Sequence, residues 1–315
     1  MKKLMLILLA LAVVAMYAPN AICDEQVYVI EKGHSVKVDK NIVDWVGLPP
    51  LKDNTACVDK GEFIWRDAKK DDVGAGNYVY PLDKKLQKGA DIREFRVTYD
   101  DKKIYFMIKC SRPNDWWVPY RIIGIDTDGA AGGKEGGVVL AQGDIDEFNT
   151  YNGTFAEMKV ADELACDFVV AVASTYKGRL WDGKGELIAY VEGDDKPVPG
   201  FKVADASWYA MEISLPYDII GDPRGKTWRF IVGVGLQDQD LSREVYEEAD
   251  EWHAGGSDEP TLDEDGVDPD VFDLVGADNE GQIADLNSYN PNGAPGDTDS
   301  FATITNSYVA ITFGE

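Results

Sequence analysis

The chain has 315 residues, of which 44% are hydrophobic and 28% are charged, so it can bury a large core and is not disordered throughout. Lys and Arg number 31 against 57 Asp and Glu, which gives a formal net charge of −26. Nucleic acids and anionic lipid surfaces are polyanions, so a chain this acidic is a poor partner for either. Its two histidines, His34 and His253, argue against His-based catalysis and His-rich zinc sites.

The N-terminus has the pattern of an export signal. Two lysines precede an apolar run over residues 4–15, which is too short to span a bilayer as a helix. A small-x-small sequence ending at Cys23 fits a cleavage site. We therefore expect residues 1–23 to be a signal peptide and residues 24–315 to be a single domain. The expected location is secreted, extracellular or on the cell surface, without direct membrane insertion.

The body of the chain is predicted as short β-strands separated by Gly, Pro, Asn and Asp. The first strand is Val27–Ile30, and residues 95–99 and 104–108 flank an Asp-Asp-Lys turn, which predicts a hairpin. Further strands are predicted at residues 122–125, 167–173, 186–191, 208–213, 228–234 and 308–313. About ten strands without alternating helices predict an all-β fold, an antiparallel β-sandwich with long acidic loops, and disfavour a doubly wound nucleotide fold.

Residues 238–300 differ from the rest because they contain 20 acidic residues and one basic residue, Arg243. Such a charge run is usually a solvated loop. Apolar residues such as Trp252 and Phe272 are interspersed, and leaving them in water costs roughly 25 cal/mol per Å². We therefore expect long loops folded over the sandwich. Helix is predicted only for residues 241–252 and parts of residues 148–164.

Three cysteines, Cys57, Cys110 and Cys166, remain after cleavage of the signal. They contain no C-x-x-C spacing, so neither a zinc ribbon nor a redox motif is present. Two alternatives remain open. The exported chain forms one disulfide of undetermined pairing, or all three cysteines are small buried residues.

Three acidic clusters have the carboxylate density that suits a hard cation such as calcium. The first pairs two carboxylates with two glycines, which let backbone carbonyls turn toward the same ion. The second is Asp-Thr-Asp-Gly, and the third is an Asp-rich run. None has the EF-hand spacing, and ordinary acidic turns produce the same patterns. The predicted ligands are Asp71, Asp72, Asp126, Asp128, Asp263, Asp265 and Asp268.

Aromatic residues form a second kind of candidate site. Trp116 and Trp117 lie in a loop with Pro, Asn and Asp, and exposed rings of this kind stack on the apolar face of a pyranose. Adjacent residues of an extended strand point to opposite faces, so one of the pair can be a core residue instead. Tyr120 follows in the same segment, and Trp181 and Trp252 in loop-like contexts are the further predicted contacts.

The sequence predicts no enzyme. It contains neither a nucleophile elbow nor H-E-x-x-H, and His253 stands alone, which favours a structural role. A glycosidase needs only two carboxylates across a cleft, and 57 acidic residues always offer some suitable pair. Product formation is therefore the test of that alternative.

Several weak motifs occur in an order that is specific when taken together. They are Asp-Asp-x-Gly-x-Gly-x-Tyr-x-Tyr-Pro at 71–81, Gly-Ala-Asp-Ile at 89–92, Asn-Asp-Trp at 114–116, Ile-Asp-Thr-Asp-Gly at 125–129, Glu-Trp at 251–252 and Asp-Val-Phe-Asp-Leu at 270–274. This order resembles the C-terminal module of glucodextranase over about residues 65–290. Upstream, Val-Asp-Trp-x-Gly-x-Pro-Pro at 43–50 resembles the opening of family 9 carbohydrate-binding and DOMON-like sandwiches.

The resemblance implies a sandwich of about ten strands with structural calcium that binds carbohydrate or cell-surface material. It adds Asp91 to the expected metal ligands. The leading hypothesis is a non-catalytic carbohydrate-binding module, stabilised by calcium, whose partner is a polysaccharide or cell-surface glycan. The alternative is a structural subunit of the cell envelope or an extracellular assembly, with self-association or envelope proteins as partners. Less favoured are a glycoside hydrolase and a haem protein. The residues available for haem are Met107, Met158, Met211 and His253.

Overall fold

The computed structural model describes residues 25–112, 115, 118–128, 158–174, 177–183, 185–192, 198–206, 209–238, 241–243, 245–246, 248–256, 269–290 and 301–315. The expected signal peptide lies outside these residues. So do five predicted site residues, which are Trp116, Trp117, Asp263, Asp265 and Asp268. The roles assigned to them remain predictions.

Strands dominate the described residues, and their bounds follow in chain order. They are β1 (Val27–Ile30), β2 (Thr55–Asp59), β3 (Glu62–Arg66), β4 (Ile92–Tyr99), β5 (Lys103–Cys110), β6 (Pro119–Asp126), β7 (Met158–Val160), β8 (Phe168–Ser174), β9 (Lys177–Asp182), β10 (Leu187–Glu192), β11 (Lys202–Ala206), β12 (Ala210–Pro216), β13 (Thr227–Asp238), β14 (Leu241–Ser242), β15 (Val245–Tyr246), β16 (Ala254–Gly255), β17 (Val271–Leu274), β18 (Ala302–Ile304) and β19 (Val309–Phe313). The α-helices are α1 (Tyr217–Ile220) and α2 (Asn279–Leu286), and short 3-10 helices cover Ile42–Asp44 and Asp162–Leu164. None of these helices has the length and apolar character needed to cross a bilayer.

Two sheets form the sandwich. The first sheet has the order β1-β19-β13-β6-β8-β9-β10, and β14 and β17 also pair with β13. The second sheet has the order β11-β12-β5-β4-β3-β2. Aromatic rings join the two layers, since Phe106 of β5 and Phe230 of β13 have centroids 5.5 Å apart. The predicted all-β sandwich is confirmed, and its pairing within the two sheets is antiparallel except for β1 with β19.

Each of the nine strands predicted from the sequence overlaps an observed strand. The predicted helix at residues 241–252 is wrong, because the described residues there include β14, which pairs antiparallel with β13, and β15, which pairs with β16. The acidic region instead contains α2, which was not predicted. Asp278 caps this helix by accepting a hydrogen bond from the Gly281 amide at 3.0 Å, and such a cap is a recognisable start signal.

The three described cysteines form no disulfide, and the second alternative left open by the sequence, that all three are buried, holds for two of them. Cys110 and Cys166 are buried, and Cys57 is partly exposed. Burial raises the pKa of the Cys110 thiol to about 11. Cys110 and Cys166 therefore serve as small core groups, and Cys110 stays protonated at neutral pH.

Residues 34–48, here called the strap, cross the outer face of the second sheet. Tyr105 and Met107 of β5 point to this face, and together with Ala210 they form a small apolar cluster with Val36 and Trp45 of the strap. Two buried carboxylates fasten the strap. Glu212 accepts a hydrogen bond from Trp45 Nε1 at 3.0 Å, and Glu62 accepts the Val46 amide at 2.6 Å.

Replacing His34 with Gln is expected to remove a pH-dependent part of the stability. His34 Nε2 lies 3.1 Å from Glu62 Oε1, and this hydrogen bond, opposed by burial, raises the pKa of His34 above its ordinary 6.5. The stabilisation is therefore complete below the ordinary pKa and is lost as the pH rises through the raised value. Because the pair is partly solvated, we expect a contribution of about 0.5 kcal/mol.

Urea unfolding with calcium at pH 6 and pH 8 measures this contribution. The wild-type protein should lose more stability between the two pH values than the His34→Gln variant. Equal losses in both proteins would show that the pair does not stabilise the strap.

Candidate functional site

Three buried aspartates converge where the ends of the two sheets meet. Carboxylate oxygens of Asp67, Asp71 and Asp273 lie within 4.8 Å of one another. Their residues are only 1%, 4% and 0% exposed. Asp67 follows β3 of the second sheet, Asp273 lies in β17 of the first sheet, and Asp71 lies in the loop after β3. We call these residues the aspartate triad.

Hydrogen bonds fix the two members that come from the sheets. Trp65 Nε1 donates to Asp67 Oδ1 at 2.6 Å. The amide of Ile92, at the start of β4, donates to Asp273 Oδ2 at 2.7 Å. The second of these bonds links the two sheets, since Asp273 belongs to β17 and Ile92 to β4. The triad is therefore part of the sandwich framework.

The third member is held by a loop that requires glycine. Gly74 has φ +64°, and a Cβ at this position would lie 2.3 Å from the Tyr78 ring. The Gly74 amide donates to the carbonyl of Phe272 at 3.1 Å, which attaches the Asp71 loop to β17. Gly74 thus serves the close approach of this loop to the sandwich, and the amide of Gly76, the second glycine noted in the sequence, donates to Asn287 Oδ1 at 2.7 Å.

The triad has free acceptor atoms. Both carboxylate oxygens of Asp71 and the Oδ2 of Asp67 are buried without a hydrogen-bond partner. Burial and the neighbouring carboxylates raise the pKa of Asp67 and Asp273 well above the ordinary 3.8, and burial raises that of Asp71. Buried carboxylates need protons or a cation. An all-oxygen set fits a hard divalent cation such as calcium and suits soft transition metals poorly.

Asp72 and Asp91, also predicted as ligands, lie beside the triad but have protein partners. Asp72 accepts the hydroxyl of Tyr80, and burial raises the pKa of Asp72 to about 6. Asp91 accepts the Lys70 amide at 3.0 Å and also the Ser111 hydroxyl. The structure therefore brings Asp71 together with Asp67 and Asp273, which the sequence did not single out.

The second predicted pair also gains a third carboxylate. Oxygens of Asp126, Asp128 and Asp167 lie within 4.8 Å of one another at the end of β6. Asp126 accepts the Asp128 amide at 3.1 Å and a nitrogen of Arg229 at 3.2 Å. Asp167 accepts the Thr127 hydroxyl at 2.6 Å. These bonds tie the end of β6 to the segment before β8, and the role of Asp126 and Asp128 as metal ligands stays a prediction.

The described aromatic candidates separate into buried and exposed rings. Tyr120 and Trp181 are 4% and 5% exposed and belong to the main core. Trp252 is 44% exposed. Both rings are covered by other parts of the protein, so neither is available to a ligand at the surface. Trp252 is therefore the described candidate whose ring faces solvent.

Trp252 is held from beneath by a buried cation. The guanidinium carbon of Arg243 lies 5.8 Å from the centroid of the Trp252 ring, and Arg243 itself is 1% exposed. Arg243 also donates a hydrogen bond to the Trp252 carbonyl. Asp250 Oδ1 accepts the amides of Trp252 and His253 at 2.6 and 2.7 Å. These hydrogen bonds fix the backbone turn that carries the Trp252 ring.

Two exposed apolar side chains, Val79 and Leu82, lie in the segment beside the Trp252 loop. The Val79 amide donates to the Gly255 carbonyl at 2.7 Å, and the Leu82 amide donates to the Asp250 carbonyl at 2.7 Å. These bonds place the Asp71 loop alongside the Trp252 loop. Val79 and Leu82 are 50% and 66% exposed. We call Val79, Leu82 and Trp252 the Trp252 surface.

The residues considered for haem occupy different environments. Met107 lies under the strap, while Met158 and Met211 lie in the main core. His253 Nδ1 is 3.0 Å from Asp250 Oδ2, and its ring lies 4.4 Å from that of Tyr246. These contacts give His253 a structural role at the Trp252 loop.

The family comparison covers both the triad and the Trp252 surface. A family model described as the C-terminal, SLH-like binding module of glucodextranase matches residues 63–124 and 141–303. The chain belongs to this family. The resemblance drawn from the ordered motifs is therefore confirmed. Membership among glucodextranase C-terminal modules supports a non-catalytic, carbohydrate-binding role and an extracellular or cell-surface setting. No curated protein matches the chain.

Proposed function

We propose that this protein is a secreted or cell-surface module without catalytic activity that binds a polysaccharide at the Trp252 surface. We further propose that calcium bound by the aspartate triad stabilises the conformation of the loop that carries Val79 and Leu82 of this surface. The observation that carries the calcium proposal is Asp71, whose two carboxylate oxygens are buried without a partner beside Asp67 and Asp273.

Calcium suits the charge and the donor atoms of the triad. It takes six to eight oxygen ligands and accepts carboxylates in mono- or bidentate fashion. Asp71 has two free oxygens and Asp67 has one, and all three are buried. Backbone carbonyls and water complete such a shell in many proteins. A divalent cation would offset the repulsion that the three carboxylates otherwise experience.

The triad and the binding surface share one loop. Asp71 stands at the start of this loop, and Val79 and Leu82 stand at its end. Between them, the Gly74 amide is bonded to β17. Neutralising Asp71 with an ion favours the conformation in which the loop lies on the sandwich. The same conformation places Val79 against Gly255, two residues after His253.

The Trp252 surface combines apolar side chains with a hydrogen-bond acceptor, and both suit a sugar ligand. The indole ring and the two aliphatic side chains offer a flat apolar area for the C–H face of a pyranose. Asp250 adjoins the ring, and its hydrogen bond with His253 lowers the pKa of Asp250 to about 2. This carboxylate is therefore ionised at neutral pH and accepts hydrogen bonds from sugar hydroxyls.

Substituting Trp252 with Ala is expected to weaken glycan binding by about thirtyfold, as for a central aromatic contact worth about 2 kcal/mol. Trp252→Phe should retain part of the affinity. Val29→Ala, on the exposed face of β1, serves as the control and should bind like the wild type. Isothermal titration with neutral α- and β-glucan oligosaccharides and cell-wall polymers, in calcium and in EDTA, measures these affinities.

Two outcomes would contradict the proposal. Unchanged glycan affinity in a folded Trp252→Ala variant would exclude the Trp252 surface as the binding site. Absence of binding to every polymer in calcium would reject the glycan role. The structural envelope role would then be tested by light scattering with and without calcium.

A further inference from the structure

A concave surface, separate from the Trp252 surface, lies on the outer face of the second sheet. It is a groove of about 310 Å³ between the strap and strands β5, β11 and β12. Its sheet side is lined by Lys103, Tyr105, Lys202 and Ser214, and its strap side by Val36 and Val38 among others. We call it the lysine groove. Its size is at the lower end of the range for small-molecule sites.

Strand register explains why these side chains share one face. Lys202 is directly opposite Ser214, and Ser214 is directly opposite Tyr105. Directly paired residues of antiparallel strands point to the same side with Cβ atoms about 5 Å apart. Lys103 precedes Tyr105 by two residues and therefore points to that side as well. The four side chains form one continuous floor.

The groove carries more lysines than acidic residues in its lining, and two further carboxylates, Asp39 and Asp100, adjoin it. Its lining includes three lysines and one acidic residue, Asp44, although the whole chain has a net charge of −26. Lys37 is engaged by Asp39, and Asp44 accepts the Lys37 amide at 3.0 Å. Among the described residues, Lys103 and Lys202 form no ion pair. Their ammonium groups are available to an anionic ligand.

Hydrogen bonds fix the hydroxyl groups that line the groove. Ser214 donates its hydroxyl hydrogen to the Gly200 carbonyl at 2.8 Å. Tyr105 donates its hydroxyl hydrogen to Asp100 at 2.7 Å. Ser214 and Tyr105 are 1% and 5% exposed, so these bonds fix the floor, whereas the exposed Ser35 donates its hydroxyl hydrogen to Asp100 at 2.7 Å and keeps its lone pairs for incoming hydroxyl donors. The groove therefore offers a hydroxyl acceptor beside two ammonium donors, and the partly exposed Val38 of the strap adds an apolar wall.

We infer that the lysine groove binds an anionic saccharide, a sugar unit that carries a carboxylate or a phosphate group. The ammonium groups of Lys103 and Lys202 recognise the anionic group through charge-assisted hydrogen bonds. A sugar hydroxyl donates to Ser35, and the C–H face packs against Val38. The anionic group supplies the selectivity, because a neutral sugar leaves both ammonium groups without an ionic partner.

This groove is separate from the Trp252 surface. Lys103 is at the start of β5, whereas Cys110 at its other end pairs with Ile92, the residue bonded to Asp273. Eight strand residues span roughly 25 Å, at about 3.3 Å each. The inference therefore does not rest on the Trp252 surface or on calcium, and the two sites can be tested independently.

The test compares charged and neutral ligands on the full chain. The titrants are oligogalacturonate, glucose 6-phosphate, inorganic phosphate and neutral glucan oligosaccharides. The double variant Lys103→Gln/Lys202→Gln should lose about a hundredfold in affinity for the anionic saccharides, since each of the two lost charge-assisted bonds accounts for a factor of about ten or more. Its affinity for neutral glucans should be unchanged. Lys52→Gln/Lys85→Gln removes the same charge from exposed positions outside the groove and should bind like the wild type.

The titrants also distinguish the source of the anionic group. Preference for oligogalacturonate supports a uronate-bearing glycan, and preference for glucose 6-phosphate supports a phosphorylated one. Equal affinity for inorganic phosphate would overturn the saccharide inference in favour of a plain anion site. Wild-type affinity in the Lys103→Gln/Lys202→Gln protein, an equal loss in the control variant, or no binding of any anionic saccharide would also overturn it.

Discussion

Removal of calcium with EDTA is expected to lower the melting temperature at neutral pH by about 5–10 °C. A ligand that binds only the folded state adds about 2.7 kcal/mol at a hundredfold excess over its Kd. Each kcal/mol shifts the midpoint of a domain of this size by about 2–4 °C. The ion also neutralises Asp67, Asp71 and Asp273, which are otherwise buried like charges. Scanning calorimetry in calcium and in EDTA measures the difference.

The effect of EDTA should grow with pH. Burial raises the pKa of Asp72 to about 6, and burial with neighbouring charges raises those of Asp67 and Asp273 well above 3.8. Without the ion, these groups bind protons more tightly in the folded state than in the unfolded state. Their stabilisation is present at acidic pH and is lost as the pH rises through 6 and above. With calcium bound, the cation replaces the protons and this loss should be small.

The variant Asp71→Asn should change stability in opposite directions under the two conditions. In EDTA it removes one of the mutually repelling charges, so the melting temperature should rise. In calcium it removes a charged ligand, so the melting temperature should fall. Asp101→Asn is the matched control, because its side chain is 95% exposed and should respond equally in both solutions. The same small change under both conditions for Asp71→Asn would count against the ion.

Replacing Asp285 with Ala is expected to lower the free energy of unfolding by about 3 kcal/mol or more. Asp285 is 1% exposed and lies in α2. Its carboxylate accepts the Thr305 amide at 3.0 Å, the Asn306 amide at 3.0 Å and the Ser307 amide at 2.7 Å. Truncation leaves these backbone donors without their acceptor, and each lost partner of a buried group costs about 1–3 kcal/mol.

Urea unfolding followed by circular dichroism measures this loss. Asp285→Asn keeps the shape of the side chain and part of its acceptor capacity, so it should lose less than Asp285→Ala. Glu280→Ala is the control on the same helix, since Glu280 is exposed, and it should cost less than about 1 kcal/mol. Similar losses for Glu280→Ala and Asp285→Ala would show that the carboxylate does not anchor the loop before β19.

Local patterns in the sequence were sufficient for much of the sandwich. Polar and apolar residues alternate over residues 95–99, and residues 104–108 form a short apolar run. An Asp-Asp-Lys turn separates the two segments, so the β4–β5 hairpin was predictable. Between residues 241 and 252 the pattern was misleading, because pairing with β13 overrides a weak helical preference. Helix α2 had a local signal in the Asp278 cap, but Gly281 in its first turn weakens the helical pattern.

The Trp252 surface and the lysine groove also depend on contacts that local sequence patterns do not reveal. The exposure of Trp252 depends on Arg243 beneath it and on the neighbouring loop that ends at Leu82, and neither contact is evident from spacing. Trp181 stands in a similarly loop-like sequence but is buried in β9. The lysine groove depends on the register of three strands, which brings Lys103 and Lys202 together across about one hundred residues of sequence.

The aspartate triad shows most clearly what could not be predicted from the sequence. The acidic, glycine-containing loop at Asp71 predicted one member of the triad and the hard-cation chemistry proposed for it. An aspartate within the apolar run of residues 271–275 was a further signal that buried charge is present at Asp273. The sequence determined the strand-rich composition, the acidic character and the family motifs, because these depend on neighbouring residues. Only the packing of two sheets decided that Asp67, Asp71 and Asp273 share one buried site, because contacts between distant segments exist only in the folded chain.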